Sequence, residues 1–303
     1  MNTPKHNDWF IWKFDGVSYG KRKDIDSILT FEFNFTDEKP LSYYDELYNN
    51  ARTIRDTFNG PLDVLLSGGI DSEVVVRTFK DLSINHNTYI FKYEDNLNKR
   101  DVDSAIDIAT CLNIPYKIVD INIKHFYENE AWELYQKTLC PRAARLVHLK
   151  FFEYIDNIPV LGDGEQYWKR TLASDYSQKS EWKLNLGEEG HSSAIYLFNQ
   201  NREAVVDWYE YTPGIMRSYI ELPYIKQLFN DEIYGKTSVW SSRAHIHRQL
   251  WPDIKDKVKL VGLEGDNLTG QYPEYIKEFQ VQMNSVICDY WYNVEEARKM
   301  FKL

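Results

Sequence analysis

Leu62-Asp63-Val64-Leu65-Leu66-Ser67-Gly68-Gly69-Ile70-Asp71-Ser72 is the stretch that decides the fold. Its short apolar run reads as a buried strand that ends in Ser-Gly-Gly-Ile-Asp-Ser. A helix-period segment follows from residue 73 to about 82, with Val75, Val76 and Phe79 on its apolar side. A strand, a glycine turn and a helix N-terminus together form a phosphate site, because free N–H groups and the positive end of the helix dipole face one point. Gly68 and Gly69 let backbone approach an anion without an intervening Cβ, and Ser67 and Ser72 add hydroxyl donors. Asp71 is the odd member. A carboxylate beside phosphate is repelled unless a cation lies between them, so Asp71 implies Mg²⁺. No lysine follows the glycines, so this is not the common Gly-Lys-Ser/Thr phosphate loop.

Outward from this stretch the pattern alternates. Upstream, Ser42 caps an expected helix whose apolar face is Leu47, Ala51, Ile54 and Phe58, and Asn59-Gly60-Pro61 ends it. Downstream come strands at 89–93, 116–121 and 158–161, with helices at about 101–112, 124–139 and 141–154. Alternating strands and helices predict a parallel sheet covered on both faces, with ligands at the carboxyl ends of the strands beside the topological switch. Two further polar clusters fall at such ends: Glu94-Asp95-Asn96 after the second strand and Gly162-Asp163-Gly164-Glu165 after the fourth. Next to a polyphosphate, those carboxylates serve as Mg²⁺ ligands or as a general base.

Both flanks differ from this core. Residues 9–14 are apolar and aromatic, Asp15-Gly16 signals a hairpin, and Phe31, Phe33 and Phe35 alternate with polar residues. A small antiparallel sheet is expected there. After Tyr167 the alternation stops. Residues 180–193 read as a polar loop, and helices are expected at about 214–219, 224–229, 241–250, 273–283 and 294–301. The reading is an α/β chain in three stretches: a β element (1–38), a nucleotide-binding domain (39–167) and a mostly helical cap (168–303).

Composition bounds the partners. A formal net charge of −10 argues against a cationic nucleic-acid binder. Cys111, Cys140 and Cys288 are the three cysteines, far apart and without a Cys-x-x-Cys pair. They argue against a disulfide framework and a structural zinc site, and for a reducing compartment. With no secretory leader or membrane-length apolar run, the expectation is a cytoplasmic protein. Cys140 reads as a buried cysteine rather than a nucleophile. His245 and His247 stand two apart, which points them away from each other on a helix, so both read as helix surface. Lys169-Arg170, and Arg142, Arg145 and Lys150, are weaker candidates for an anion site.

Ser67-Gly68-Gly69-Ile70-Asp71-Ser72 resembles the pyrophosphate loop of the N-type ATP pyrophosphatases, which include asparagine, GMP and NAD synthetases and tRNA-modifying enzymes. Within that superfamily the chain looks most similar to the synthetase domain of asparagine synthetases and β-lactam-forming synthetases. Leu161-Gly162-Asp163-Gly164-Glu165 resembles their Ser-Gly-Glu-Gly-x-Asp-Glu, with Glu165 and Gln166 where a small residue and the metal-binding aspartate fall. Arg243, with Pro252, Ile254, Lys257, Lys259 and Gly262 beyond, resembles their Lys-x-x-Leu-Arg and Arg-x-Lys-x-Gly region.

The resemblance implies cleavage of ATP to AMP and pyrophosphate, with adenylation of a carboxylate and amide formation with ammonia or an amine. It implies Leu66, Ser67, Gly68, Gly69, Asp71, Ser72, Phe91 and Gly162 as nucleotide-binding, Asp71, Asp163 and Glu165 as Mg²⁺ ligands, and Asp163, Glu165, Arg243 and Lys257 as catalytic. Arginine in place of the family's lysine keeps the charge but does not readily release a proton. No cysteine precedes Cys111, so no N-terminal glutaminase is expected, and nitrogen would come from free ammonia, an amine substrate or a separate ammonia-supplying protein. Two alternatives stand beside this reading: a nucleobase- or tRNA-modifying enzyme of the same superfamily, and a non-catalytic nucleotide-binding module.

Overall fold

The computed structural model describes residues 9–164, 166–171, 181–230, 243–256 and 272–303. Its centre is a four-stranded parallel sheet of β4 (Leu62–Leu65), β5 (Asn87–Tyr93), β6 (Lys117–Ile121) and β7 (Ile158–Leu161), in the order β6-β5-β4-β7. The chain steps outward from β4 through β5 to β6, then returns to place β7 on the other side of β4. That reversal makes the carboxyl ends of β4 and β7 the switch point.

The strand residues alternate between two cores. Leu62, Val64 and Leu66 face one apolar cluster with α1 (Tyr43–Thr57), α2 (Ile70–Asp81) and α3 (Lys99–Cys111). Leu65, Phe91, Val119 and Leu161 face the other with α4 (Ile123–Asn129), α5 (Ala131–Thr138) and α6 (Ala143–Phe151). Ser42 caps α1 by accepting from the Asp45 N–H at 3.2 Å. The single helix expected over 124–139 is two helices, broken at Glu130, which ends α4 and caps α5.

Asp63 is the polar exception inside β4. It is fully buried and accepts from Asn87 Nδ2 at 2.7 Å and from the Asn157 N–H at 3.2 Å. These bonds tie β4 to the starts of β5 and β7. Asp63→Ala would leave those donors facing apolar surroundings, so a loss of about 2–4 kcal/mol is expected. The shift of the urea midpoint against wild type measures it.

The N-terminal sheet is antiparallel, in the order β2-β1-β3: β1 (Phe10–Phe14), β2 (Val17–Ser18) and β3 (Leu29–Phe33). Asp15 and Gly16 take φ of 49° and 80°, the left-handed pair that a tight hairpin turn requires. Trp9 Nε1 donates to the Tyr211 carbonyl at 3.1 Å, and Arg22 Nε donates to Glu188 at 2.9 Å in a buried ion pair. The sheet is therefore anchored on the C-terminal region.

That region carries helices, as expected, but also an antiparallel sheet that the helical reading misses. Strands β8 (Tyr167–Thr171), β9 (Glu181–Gly187) and β10 (Asp289–Asn293) pair in the order β10-β9-β8. Residues 180–193, read as a loop, hold β9 from 181 onward and the start of α7 (Glu188–Asn199). Trp182, Leu184 and Leu186 alternate along β9 and are buried, a period-two signal. The flanking Glu, Gly and Lys residues mask it, and the partner β10 lies about a hundred residues further on. The same region holds α8 (Pro213–Ile220), α9 (Pro223–Asn230), α10 (Arg243–His247), α11 (Glu274–Met283) and α12 (Val294–Met300), of which α12 packs on β9 and β10. No helix among the described residues is long and apolar enough to cross a membrane.

Candidate nucleotide-binding site

The loop after β4 is closed by its own serines. Ser72 Oγ accepts from the Ser67 N–H at 3.1 Å and donates to the Gly69 carbonyl at 3.2 Å, so it braces the turn. Ser72 is buried and Ser67 is exposed, so only Ser67 offers its hydroxyl to an incoming group. Gly68 has φ of +78°, and a Cβ there would lie 2.1 Å from the Asp101 carbonyl oxygen. The loop thus packs against the start of α3, with Asp101 in its first turn, and Ser104 Oγ in the next turn donates to the Gly68 carbonyl at 2.9 Å. Gly69 precedes α2 as its N-cap, leaving the first-turn N–H groups without carbonyl partners inside the helix.

The loop after β7 meets the same helix. A Cβ on Gly162 would lie 2.7 Å from both the Asp71 carbonyl carbon and the Ser72 nitrogen. Tyr209 joins the two loops: its N–H donates to the Asp163 carbonyl at 3.2 Å, and its hydroxyl donates to the Asp71 carbonyl at 3.3 Å. The structure therefore brings Asp71 and the Gly162-Asp163 turn together at the switch point, as ligand sites in open parallel sheets are arranged.

Asp163 is partly exposed and lies 3.8 Å from Arg145. Arg145 also approaches Glu189 at 3.7 Å, and Arg142 donates to Glu189 at 3.0 Å. Burial disfavours the charge on Arg145, but the Asp163 and Glu189 carboxylates outweigh burial and raise its pKa. Lys150 is not part of this group; it pairs with Glu130 and Glu153. Lys169 and Arg170 lie on β8.

The remaining expected residues fall as follows. The Leu66 side chain is buried and its N–H donates to the Tyr89 carbonyl at 2.9 Å. The Phe91 carbonyl accepts from Asn98 Nδ2 at 2.9 Å, and its ring stacks on Phe151 at 4.1 Å. Asn98 also accepts from the Tyr93 N–H at 2.9 Å, so it shapes the end of β5. Glu94 caps α4, accepting from the Lys124 N–H at 2.8 Å and from Ile123. Arg243 opens α10, and the segment after it docks on α2 through the bidentate Arg77–Asp253 pair and a Trp251–Asp81 hydrogen bond. Glu165, Lys257, Lys259 and Gly262 lie outside the described residues.

His247 corrects the surface reading given to both histidines of α10. It is fully buried, with Tyr43, Tyr209 and Trp251 rings about it at 6.0, 6.4 and 6.5 Å, whereas His245 is exposed. The short helix has protein on one side only, so residues two apart see different surroundings. Cys140 is buried, and burial pushes its thiol up to about 11. A thiol reagent at neutral pH should label exposed Cys111 and spare Cys140 until the chain is unfolded. Peptide mapping after labelling checks this, and native labelling of Cys140 would contradict its placement.

A second polar group lies behind the β7 turn, and the sequence reading missed it. Residues 204–207 run along the outer edge of β7, where Val205 bridges Val160 and Asp207 bridges Gly162. Asp207 and Glu210 flank a 3₁₀ turn and meet His191 of α7, whose Nε2 lies 2.8 Å from Glu210 Oε2. All three are buried. Burial opposes protonation of His191, but Glu210 outweighs it and raises the imidazole to about 9. Burial pushes Asp207 up to about 8. Asp-x-x-Glu at 207–210 is the local signal, but its histidine comes from another helix.

Residues 63–139 match the sequence profile of "Queuosine biosynthesis protein QueC". No curated protein matches the chain. Similar solved structures include NMN synthetase from Francisella tularensis, at 18% identity and TM-score 0.31, over 43% of this chain and 56% of that one. NH₃-dependent NAD synthetase from Campylobacter jejuni, in complex with nitrate ion, matches at 18% identity and TM-score 0.31, over 40% of this chain and 56% of that one. A predicted subunit of tRNA methyltransferase from Methanocaldococcus jannaschii matches at 17% identity and TM-score 0.31, over 62% of this chain and 87% of that one. The chain thus spans little more than half of either synthetase. The matched profile belongs to the PP-loop ATP pyrophosphatase superfamily, whose loop residues 67–72 resemble, and it covers the part of the chain that carries that loop.

Proposed function

We propose that the protein is an ATP-dependent adenylating enzyme that cleaves ATP to AMP and pyrophosphate. The activated group is a carboxylate, which then forms an amide with ammonia or an amine. The observation that carries this reading is the contact of Gly162 with the Asp71–Ser72 backbone. It sets a carboxylate-bearing turn beside the glycine loop, and both face the end of one sheet.

In this reading the loop N–H groups and Ser67 hold the phosphates to be released, and the positive end of α2 favours their charge. Asp71 and Asp163 supply oxygen donors from the two adjoining turns, a donor set that suits Mg²⁺. Bound there, Mg²⁺ would neutralise phosphate charge as it develops. Arg145, beside Asp163, orients that carboxylate. Glu165, Arg243 and Lys257 complete the set by their sequence positions. Leu66 and Phe91 main-chain groups border the adenine.

A second reading is favoured by the profile match to a queuosine biosynthesis family. Here the activated oxygen belongs to a nucleobase precursor or a tRNA base, and the ATP chemistry is the same. Product analysis with ATP, Mg²⁺ and a panel of carboxylic acids and nucleobase precursors tests both. AMP and pyrophosphate are expected, and the acid or base that stimulates their release selects between the readings. ADP and phosphate as products would overturn both. Salt-sensitive RNA binding would favour tRNA.

A further inference from the structure

We infer that His191, Asp207 and Glu210 form a binding site for a divalent transition-metal ion, with Zn²⁺ as the best match. Each offers one ligand atom, and these atoms all lie within 4.8 Å of one another. Donors at about 2.0–2.2 Å from one zinc ion stand up to about 4 Å apart, so closure needs only sub-ångström shifts.

The histidine is already oriented. His191 Nδ1 lies 2.8 Å from the Gly187 carbonyl, which can only accept. Nδ1 therefore carries a proton in either charge state, and the proton that Nε2 shares with Glu210 must leave when a cation takes that lone pair. Metal-binding histidines are held this way by an outer carbonyl or carboxylate. Phe10 and Phe31 rings pack on the imidazole at 4.9 and 4.8 Å and fix its plane.

The carboxylates argue independently for a ligand. Asp207 is buried, and its Oδ2 has no hydrogen-bond partner. An orphaned buried carboxylate oxygen is costly unless something binds it. Once metal binding has released their protons, two carboxylates and a neutral imidazole carry two negative charges, which a divalent cation cancels. One nitrogen and two oxygen donors fit Zn²⁺ better than Mg²⁺ or Ca²⁺, which take oxygen alone.

Asp207 and Glu210 are three apart on a 3₁₀ turn, a spacing that sets both side chains on one side. Gly164 abuts them: a Cβ there would lie 3.1 Å from Glu210 Cγ and 3.2 Å from Asp207 Cβ. A cation at this place would fasten the Asp163 turn to α7 and the cap. It is a separate site from the Asp71 and Asp163 turns and does not depend on the proposed ATP chemistry.

The test uses the full chain, stripped with a chelator and given Zn²⁺ alone, without ATP. Metal retained after gel filtration is quantified by elemental analysis. One zinc per chain is expected, with at least about 100-fold weaker binding in His191→Gln and Asp207→Asn variants that keep the wild-type circular dichroism. Should those variants not fold, the visible spectrum of the Co²⁺-loaded wild type decides. Weak ligand-field bands without a sulfur charge-transfer band support nitrogen and oxygen ligands. No uptake by the wild type, undiminished uptake by the folded variants, or a thiolate band would overturn the site.

Discussion

Gly68→Ala is expected to destabilise the protein by roughly 2–5 kcal/mol and to abolish ATP binding, because strain and overpacking act at one atom. The new Cβ would be placed 2.1 Å from the Asp101 carbonyl oxygen, on a residue whose φ is +78°. Neither the loop nor the first turn of α3 can yield without breaking the Ser104–Gly68 hydrogen bond. Gly69→Ala is the control. Its Cβ meets nothing closer than Ser67 Oγ at 3.4 Å. The fold should change by less than about 1 kcal/mol, while ATP binding weakens because the methyl enters the space of the phosphate. Urea melts and ATP titrations on both variants measure the two effects separately. Equal stability loss at both glycines would show that the close packing of Gly68 on α3 is wrong.

Asp71→Asn is expected to leave the melting curve near wild type and to reduce pyrophosphate release by roughly 100-fold or more, the scale of a lost metal contact. Asparagine keeps the size of the side chain at the start of α2 but removes the charge that a cation between carboxylate and phosphate requires. A measurement that needs no knowledge of the acceptor is available. Wild type should bind ATP more tightly with Mg²⁺ than with a chelator, and the variant should show little difference. An Asp71→Asn protein with an intact Mg²⁺ dependence would move the cation site elsewhere. If ATP binding and biological effect persist while wild type releases no pyrophosphate, the non-catalytic module becomes the better reading.

The two glycines of the loop after β4 were legible in the sequence for a local reason. Strand, turn and helix succeed one another within about a dozen residues, so spacing alone places the N–H groups that are expected to face phosphate. The same holds for Ser42 as a cap and for Asp15-Gly16 as a hairpin, where the chemistry lies within one turn of the backbone. Ser72 shows the limit. A serine in a phosphate loop reads as a donor to the ligand, but its hydroxyl is used inside the loop by Ser67 and Gly69. Only the closed geometry shows where that hydroxyl points.

His247 and β9 fail for a related reason. The spacing of His245 and His247 says that they point apart. It does not say which one faces α1 and which one faces solvent. The alternation of Trp182, Leu184 and Leu186 is a strand signal, but it is short and set among polar residues, and only one of its two partners, β8, is near in sequence, while β10 lies about a hundred residues further on.

By itself, the sequence determined the parallel sheet and the glycine loop between strand and helix, and it carries the expectation of a cation at Asp71, because each follows from periodicity or chemistry over short range. The tertiary structure alone decided that Gly162 lies against Asp71, that Tyr209 joins the two loops, and that His191 meets Asp207 and Glu210. Those contacts join segments whose separation along the chain carries no periodic signal. They exist only because the sheet reverses its strand order and brings β7, with the edge segment beside it, back against β4.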